Sequence, residues 1–197
     1  MVVLGYLAMS DEDTQTEAAG VASDLLEGAA QAVDKVTSFK ISRMASVDKA
    51  LVDHPQVRAM LAVIRRGEGT ADAAGYSRLF GGASFSGFAD HPRQAVSKWG
   101  LTSTAAGAYQ MLSKVWDETR DLMGLGSFSP RNQDIAALGR IAARGALPDV
   151  LAGNLTAAIK RLNKEWASLP ESPYGQGTIT WATARDVFSR AGGSATA

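Results

Sequence analysis

Glu68 stands between Gly67 and Gly69, at the end of a stretch in which Val57, Leu61 and Ile64 recur at helical spacing. A carboxyl group at such a junction can face a cleft between two lobes. If apolar neighbours strip it of water, the charged form is penalised and the pKa rises. It can then carry a proton near neutral pH as a general acid. On its own, Gly-Glu-Gly more often describes a solvated helix end. Downstream lies Ser103-Thr104-Ala105-Ala106-Gly107-Ala108-Tyr109-Gln110, small residues leading to an aromatic ring and an amide. Small side chains let a polymer approach the backbone, and Gln110 can both donate and accept hydrogen bonds. The plainer reading is a tight helix entry with Tyr109 in the core. Ser168-Leu169-Pro170 then precedes Tyr174-Gly175-Gln176, which repeats the pairing of ring and amide. Such a loop either connects helices or forms a binding lip.

The 197-residue chain has no cysteine and only two histidines, His54 and His91. That excludes disulfides, cysteine nucleophiles, thiolate metal sites and iron–sulfur clusters, and leaves almost nothing for a zinc enzyme. No metal or other cofactor is expected. An enzyme built from this chain works with carboxylates, hydroxyls or amides. Apolar residues make up 46% and charged residues 20%, which suits a soluble globular protein with one sizeable domain and an appendage. The net charge of zero hides an asymmetry. Residues 1–56 carry nine acidic and four basic side chains, and residues 57–197 carry eleven acidic and sixteen basic. A cationic body suits an anionic polymer, although an excess of this size is also ordinary surface charge. There is no Lys/Arg run and no basic–aromatic interleaving, so nucleic acid is not the expected partner.

The elements that position these groups are partly legible. Residues 10–50 are rich in Ala, Asp/Glu and Thr/Ser, with sparse Val21, Leu25, Val33 and Val36. This predicts one or two weakly amphipathic helices, around Glu17 to Phe39, that need a partner surface. Asp53-His54-Pro55 is a helix start, with Pro55 in the first turn. A boundary follows: an acidic extension over 1–52 and a body over 53–197. From Gly69 to Trp99 the helical period disappears. Gly75, Gly81, Gly82 and Gly87 punctuate Tyr76, Phe80, Phe85 and Phe88, which predicts short strands joined by a turn. Helices then return. Tyr109, Leu112, Trp116 and Met123 share one face of a segment ending at Gly124. Ser129-Pro130 opens a second helix that stops at Gly145. Leu155, Ile159, Leu162 and Trp166 mark a third, ended by Pro170, and the last runs from Trp181 to Arg190. The fold class is α+β, helix-dominated, with a small β-hairpin region and a cleft between two lobes.

Taken together, these stretches resemble the lambda-type lytic transglycosylases, the bacteriophage lambda endolysin family. The resemblance is carried by Arg66-Gly67-Glu68-Gly69-Thr70, Gly75-Tyr76, Gly81-Gly82 and Phe88-Ala89-Asp90-His91-Pro92-Arg93. It continues through the block from Ser103 to Gln110, and through Phe128-Ser129-Pro130 with Gln133-Asp134. It closes with Arg144-Gly145-Ala146-Leu147-Pro148 and Trp166-Ala167-Ser168-Leu169-Pro170 up to Tyr174-Gly175-Gln176. The blocks keep their order over residues 56–193. The resemblance implies a lysozyme-like fold that cleaves the β-1,4 bond between N-acetylmuramic acid and N-acetylglucosamine in peptidoglycan glycan strands. It places the single catalytic glutamate on Glu68, and substrate-binding groups on Ser103, Tyr109, Gln110, Tyr174 and Gln176. The enzyme is expected to act as a monomer on the bacterial cell wall, in the host periplasm. Two departures touch the groove: Ala108 replaces a basic residue, and Glu171-Ser172-Pro173 replaces a glycine-rich turn.

Two alternatives stay open. A hydrolytic muramidase of the phage T4 kind places Asp and Thr about nine and fifteen residues after its glutamate, flanking the scissile bond. Here those positions hold Ser77 and Ala83. Asp72 and Asp90 are the other candidate carboxylates, and Asp90 in Ala-Asp-His-Pro reads better as a turn or cap. A non-catalytic wall-binding or virion structural protein is the second. Esterase and dinucleotide-binding motifs are incomplete at Gly82-Ala83-Ser84-Phe85-Ser86 and Gly124-Leu125-Gly126. The longest apolar run, Met1 to Met9, is shorter than the roughly 20 residues that span a bilayer. It lacks a basic leader and a cleavage site. It reads as a weak membrane anchor, as the end of a longer membrane segment, or as a segment packing on the body or a partner.

Overall fold

Proline in the first turn and a left-handed glycine after the last define the helix that carries Glu68. In the computed structural model, α1 spans Pro55–Gly67. The His54 ring nitrogen Nδ1 accepts from the Gln56 N–H at 3.3 Å, and Pro55 has no donor to satisfy. At the other end Thr70 N–H donates to the Arg65 carbonyl at 2.9 Å and Gly69 N–H to the Arg66 carbonyl at 3.4 Å. Gly69 sits at φ +69°, so this is a Schellman closure, with Glu68 as its C-cap.

The structure describes Glu27, Gln31, Ala32, residues 34–175 and residues 177–196. The chain divides into two units, Met1–Phe39 and Lys40–Ala197. In the first, residues 34–39 are helical, and Val36 and Phe39 are exposed. The apolar run Met1 to Met9 and most of the helix expected from Glu17 lie outside the described residues. In the second, residues 40–45 are helical and Met44 is buried, as is Val52. The core therefore takes in residues that the boundary after residue 52 assigned to the extension. Met44 can pack there because Gly139 leaves room: a Cβ at that position would lie 3.2 Å from Met44 Cγ and would collide with Met123 Sδ.

The body is built around α3 (Pro130–Ala143), buried from Gln133 to Ala143 except at Asp134 and Arg140. A helix apolar on nearly all sides belongs in a core. Before it comes α2 (Ser113–Met123), stopped by Gly124 at φ +59°. After it come α4 (Leu147–Leu151), α5 (Leu155–Leu162) and α6 (Trp181–Arg190), the last packed on α1. Ser129, Asn154 and Thr180 cap α3, α5 and α6 with their side-chain oxygens.

The expected strands between Gly69 and Trp99 are corrected by the structure. That stretch is mostly irregular, with 3₁₀ turns at Ala73–Ser77 and Phe80–Gly82. The hairpin straddles the end of that stretch, with β1 (Val96–Lys98) inside it and β2 (Leu101–Ser103) beyond it, Val96 opposite Ser103 and Lys98 opposite Leu101. Side chains shape the irregular part. Arg65 donates to the carbonyls of Thr70 and Asp72, and Arg78 to that of Gly69. The helix expected from Tyr109 also starts later, at Ser113, because Gly107 and Gln110 both sit at positive φ. The helix expected through Trp166 ends at Leu162.

Candidate active site

The C-cap position sets Glu68 at the meeting point of two cavities, of about 470 and 550 Å3. Glu68, Phe80, Gln110 and Ser168 line both, so together they form a trench that crosses the carboxyl group. Ser103, Leu112, Arg140 and Trp166 line one arm. Gly81, Lys98, Trp99 and Gly177 line the other.

Glu68 is half-buried. Loss of water pushes its carboxyl above the usual glutamate range, and a hydrogen bond from Ser168 partly offsets this. The Ser168 hydroxyl donates to Oε1 at 2.6 Å. Among the described residues no side chain or N–H of the protein donates to the other oxygen, which is left to carry a proton. Gly67 makes the contact possible, because a Cβ there would lie 2.5 Å from Ser168 Oγ. The paired glycines thus have separate tasks: Gly69 closes the helix and Gly67 admits Ser168.

The other candidate carboxylates are engaged elsewhere. Asp72 pairs with Arg78 at 3.0 Å. Asp90 accepts from Trp116 Nε1 at 2.7 Å and from Arg93 at 2.9 Å, and these donors hold it at about 2. It acts as a turn anchor, as its sequence context suggests. Glu165 lines the first arm, but its two oxygens accept from Arg140 Nε and Arg144 Nε, each at 2.7 Å. Among the described residues no cluster of three or more His, Asp or Glu side chains could hold a metal ion.

The remaining site residues expected from sequence fall at different depths. Ser103 and Gln110 line the trench; Ser103 Oγ accepts from Ala105 N–H at 3.1 Å, and Gln110 Nε2 donates to the carbonyls of Arg78 and Gly107. Tyr109 borders the first arm but is only 2% exposed, and its hydroxyl donates to Asp134 Oδ1 at 2.6 Å. Tyr174 is exposed, lines neither arm, and donates to the Lys164 carbonyl at 3.1 Å. Gln176 lies outside the described residues.

The sequence and the fold of these residues match those of known proteins. The family model described as Endolysin matches residues 58–195. The chain belongs to the endolysin family. Endolysins of Escherichia phage lambda and Escherichia phage P2 are 40% and 35% identical to it, each over 71% of this chain and over 92% and 94% of their own lengths. Bacteriophage lambda lysozyme complexed with a chitohexasaccharide superposes with a TM-score of 0.69 at 39% identity, over 73% of this chain and 97% of that one. A second structure, lysozyme from bacteriophage lambda, gives 0.64 at 38% identity. At this level the chain is a lysozyme-like, peptidoglycan-degrading enzyme of the phage endolysin kind. Among the described residues of this endolysin-family chain, no helix is long and apolar enough to cross a membrane.

Gln133 and Asp134 have structural duties that their sequence context does not disclose. Gln133 Oε1 accepts from Ala108 N–H at 2.8 Å, while its Nε2 donates to the carbonyls of Tyr76 and Phe128. Asp134 accepts from both Tyr109 and Tyr76, and burial pushes its carboxyl up. Both hold the segment from Ser103 to Gln110 from beneath. The available signal was a run of four polar residues, Arg131 to Asp134, leading into an apolar stretch of the same helix.

Proposed function

We propose that the enzyme is a lytic transglycosylase that cleaves the β-1,4 bond between N-acetylmuramic acid and N-acetylglucosamine without consuming water. Glu68, protonated on its unpaired oxygen, delivers that proton to the glycosidic oxygen as the bond breaks. The resulting carboxylate takes the proton from the C6 hydroxyl of the muramyl sugar, whose oxygen closes on its own C1 as a 1,6-anhydro ring. The carboxyl group ends as it began, and the nucleophile is intramolecular, with the large effective concentration that this confers. Ser168 steadies Oε1 through both steps.

The observation that carries this reading is the isolation of Glu68. Hydrolysing glycosidases use a carboxylate pair flanking the bond, whereas Asp72, Asp90 and Glu165 are each tied to arginine here. The trench supports a glycan strand as partner, with Ser103 and Gln110 on its walls and Tyr109 behind one arm. The relative bound to a chitohexasaccharide supports the same substrate class. In this reading the body acts as a monomer on the wall, in the host periplasm, with the acidic N-terminal stretch as an extension.

Mass spectrometry of muropeptides released from purified peptidoglycan tests the reaction. The expected products carry 1,6-anhydro ends. Products heavier by one water would replace this reading with a hydrolytic muramidase. An unchanged wall would leave a binding protein.

A further inference from the structure

We propose that Trp99 is a sugar-stacking platform: its indole, presented by the β1–β2 turn at the arm beside Lys98, receives the C–H face of a pyranose ring of the bound glycan. This rests on the glycan-cleaving reading above and assigns one side chain to its grip on substrate.

Trp99 is 74% exposed, the highest value among the large apolar side chains described. Burial of such a ring is favourable, so covering it with a ligand in the trench would be stabilising. Its backbone adds a second argument. Trp99 and Gly100 form the two-residue turn between Lys98 and Leu101, at φ +53° and +77°. Positive φ at both positions is the pattern of a type I′ hairpin turn, which favours Asn, Asp and Gly. A bulky side chain in the left-handed region is strained, and strain kept at an exposed position points to function.

The surroundings fit a sugar. Trp99 lines the same arm as Glu68, Phe80 and Gln110. Phe80 meets the indole edge-on, with centroids 5.7 Å apart, and Lys98 Nζ lies 4.6 Å from the ring centroid. The negative π-face that attracts this ammonium also attracts the polarised C–H groups of a pyranose. The platform is also fixed in place. Lys98 Nζ donates to the Gly81 carbonyl at 2.5 Å, and a Cβ on Gly81 would lie 2.8 Å from Lys98 Cδ. The hairpin thus rests on the Phe80–Gly82 turn.

Calorimetric binding of chitohexasaccharide to the full chain, with melting temperatures, tests this on wild type, Trp99→Asn and Trp99→Phe; wall digestion by wild type is scored in parallel. Asparagine suits the turn but removes the ring. The expected result is a Kd raised about tenfold or more in Trp99→Asn, with a melting temperature equal to or above wild type. Trp99→Phe should stay within about threefold of wild type. An unchanged Kd in Trp99→Asn overturns the platform, as does weaker binding accompanied by a lower melting temperature and no rescue by Phe. Wild type that binds no chitohexasaccharide overturns it too. Wild type that binds the oligosaccharide but leaves the wall intact overturns the catalytic reading alone.

Discussion

The Ser168 hydroxyl donates to Glu68 Oε1 at 2.6 Å and so joins the loop after α5 to the end of α1. Burial pushes the carboxyl up and this bond pulls it part of the way back. The serine therefore sets both the direction in which Glu68 points and how firmly it keeps its proton.

Ser168→Ala is expected to lower kcat/KM about tenfold or more, since a hydrogen bond to a charged group contributes roughly 1.5–3 kcal/mol. Without the donor the carboxylate is less stabilised, so the pKa of Glu68 rises. The high-pH limb of the wall-lysis profile should move to higher pH. A limb that stays in place or moves down would contradict the assigned role.

Glu68→Gln removes the transferable proton and little else. Lysis should fall by about 10²–10⁴-fold or more, the range of general acid–base catalysis. Stability should respond in the opposite direction. A folded-state pKa above the unfolded one stabilises the protein below the unfolded pKa, and that contribution is lost as pH rises through the folded pKa. The variant should therefore melt at or above the wild-type temperature at neutral pH, with the difference shrinking in acid. Differential scanning calorimetry across pH checks this, and a lower melting temperature at neutral pH would count against a desolvated carboxyl.

Asp134 receives two phenolic hydroxyls, from Tyr109 at 2.6 Å and Tyr76 at 3.0 Å. Asp134→Ala leaves both donors without their acceptor and should cost about 2–4 kcal/mol in urea unfolding. Adding Tyr109→Phe to that background should cost much less than Tyr109→Phe alone in wild type, because the hydroxyl no longer has a partner to lose. Additive effects would show that the bond contributes nothing.

His91 is buried, its Nδ1 accepts from Arg93 N–H at 3.0 Å, and its Nε2 faces the Met111 carbonyl at 3.0 Å. Desolvation lowers its pKa. A histidine with a depressed folded pKa stabilises the native state above the unfolded value of about 6.5, and this is lost as pH falls toward the folded pKa. Asp134 and Glu68, both raised, change in the opposite sense as pH rises. The comparison with His91→Gln isolates the histidine: the variant's urea midpoint should fall less than that of wild type between pH 7 and pH 5. Parallel curves would remove the effect.

Where a sequence signal was local, it translated directly. Pro55 and Pro130 at helix starts, and Gly124 after Met123, mark ends that the structure keeps. Gly67-Glu68-Gly69 also read correctly as a helix end. What it could not show was Ser168, whose approach depends on a residue a hundred positions away. The stretch from Gly69 to Trp99 misled for a different reason. Its aromatic–glycine rhythm resembles strands, but Gly81, Gly82 and Gly87 at positive φ break the extended backbone, so that only isolated bridges form, Arg78 with Ser84 and Leu79 with Ala106. Tyr109 kept helical spacing with Trp116, yet Gln110 at φ +46° places it in a turn before the helix. Spacing records periodicity, and a single left-handed residue interrupts it invisibly.

The account turns on Glu68 holding its proton beside the trench. Its carboxyl can be titrated directly by ¹³C NMR in the intact wild-type protein, with the resonance assigned by its disappearance in Glu68→Gln. The expected midpoint lies above the ordinary glutamate value of about 4.3. A midpoint at or below that value would make Glu68 an ordinary solvated carboxylate and contradict its role as proton donor.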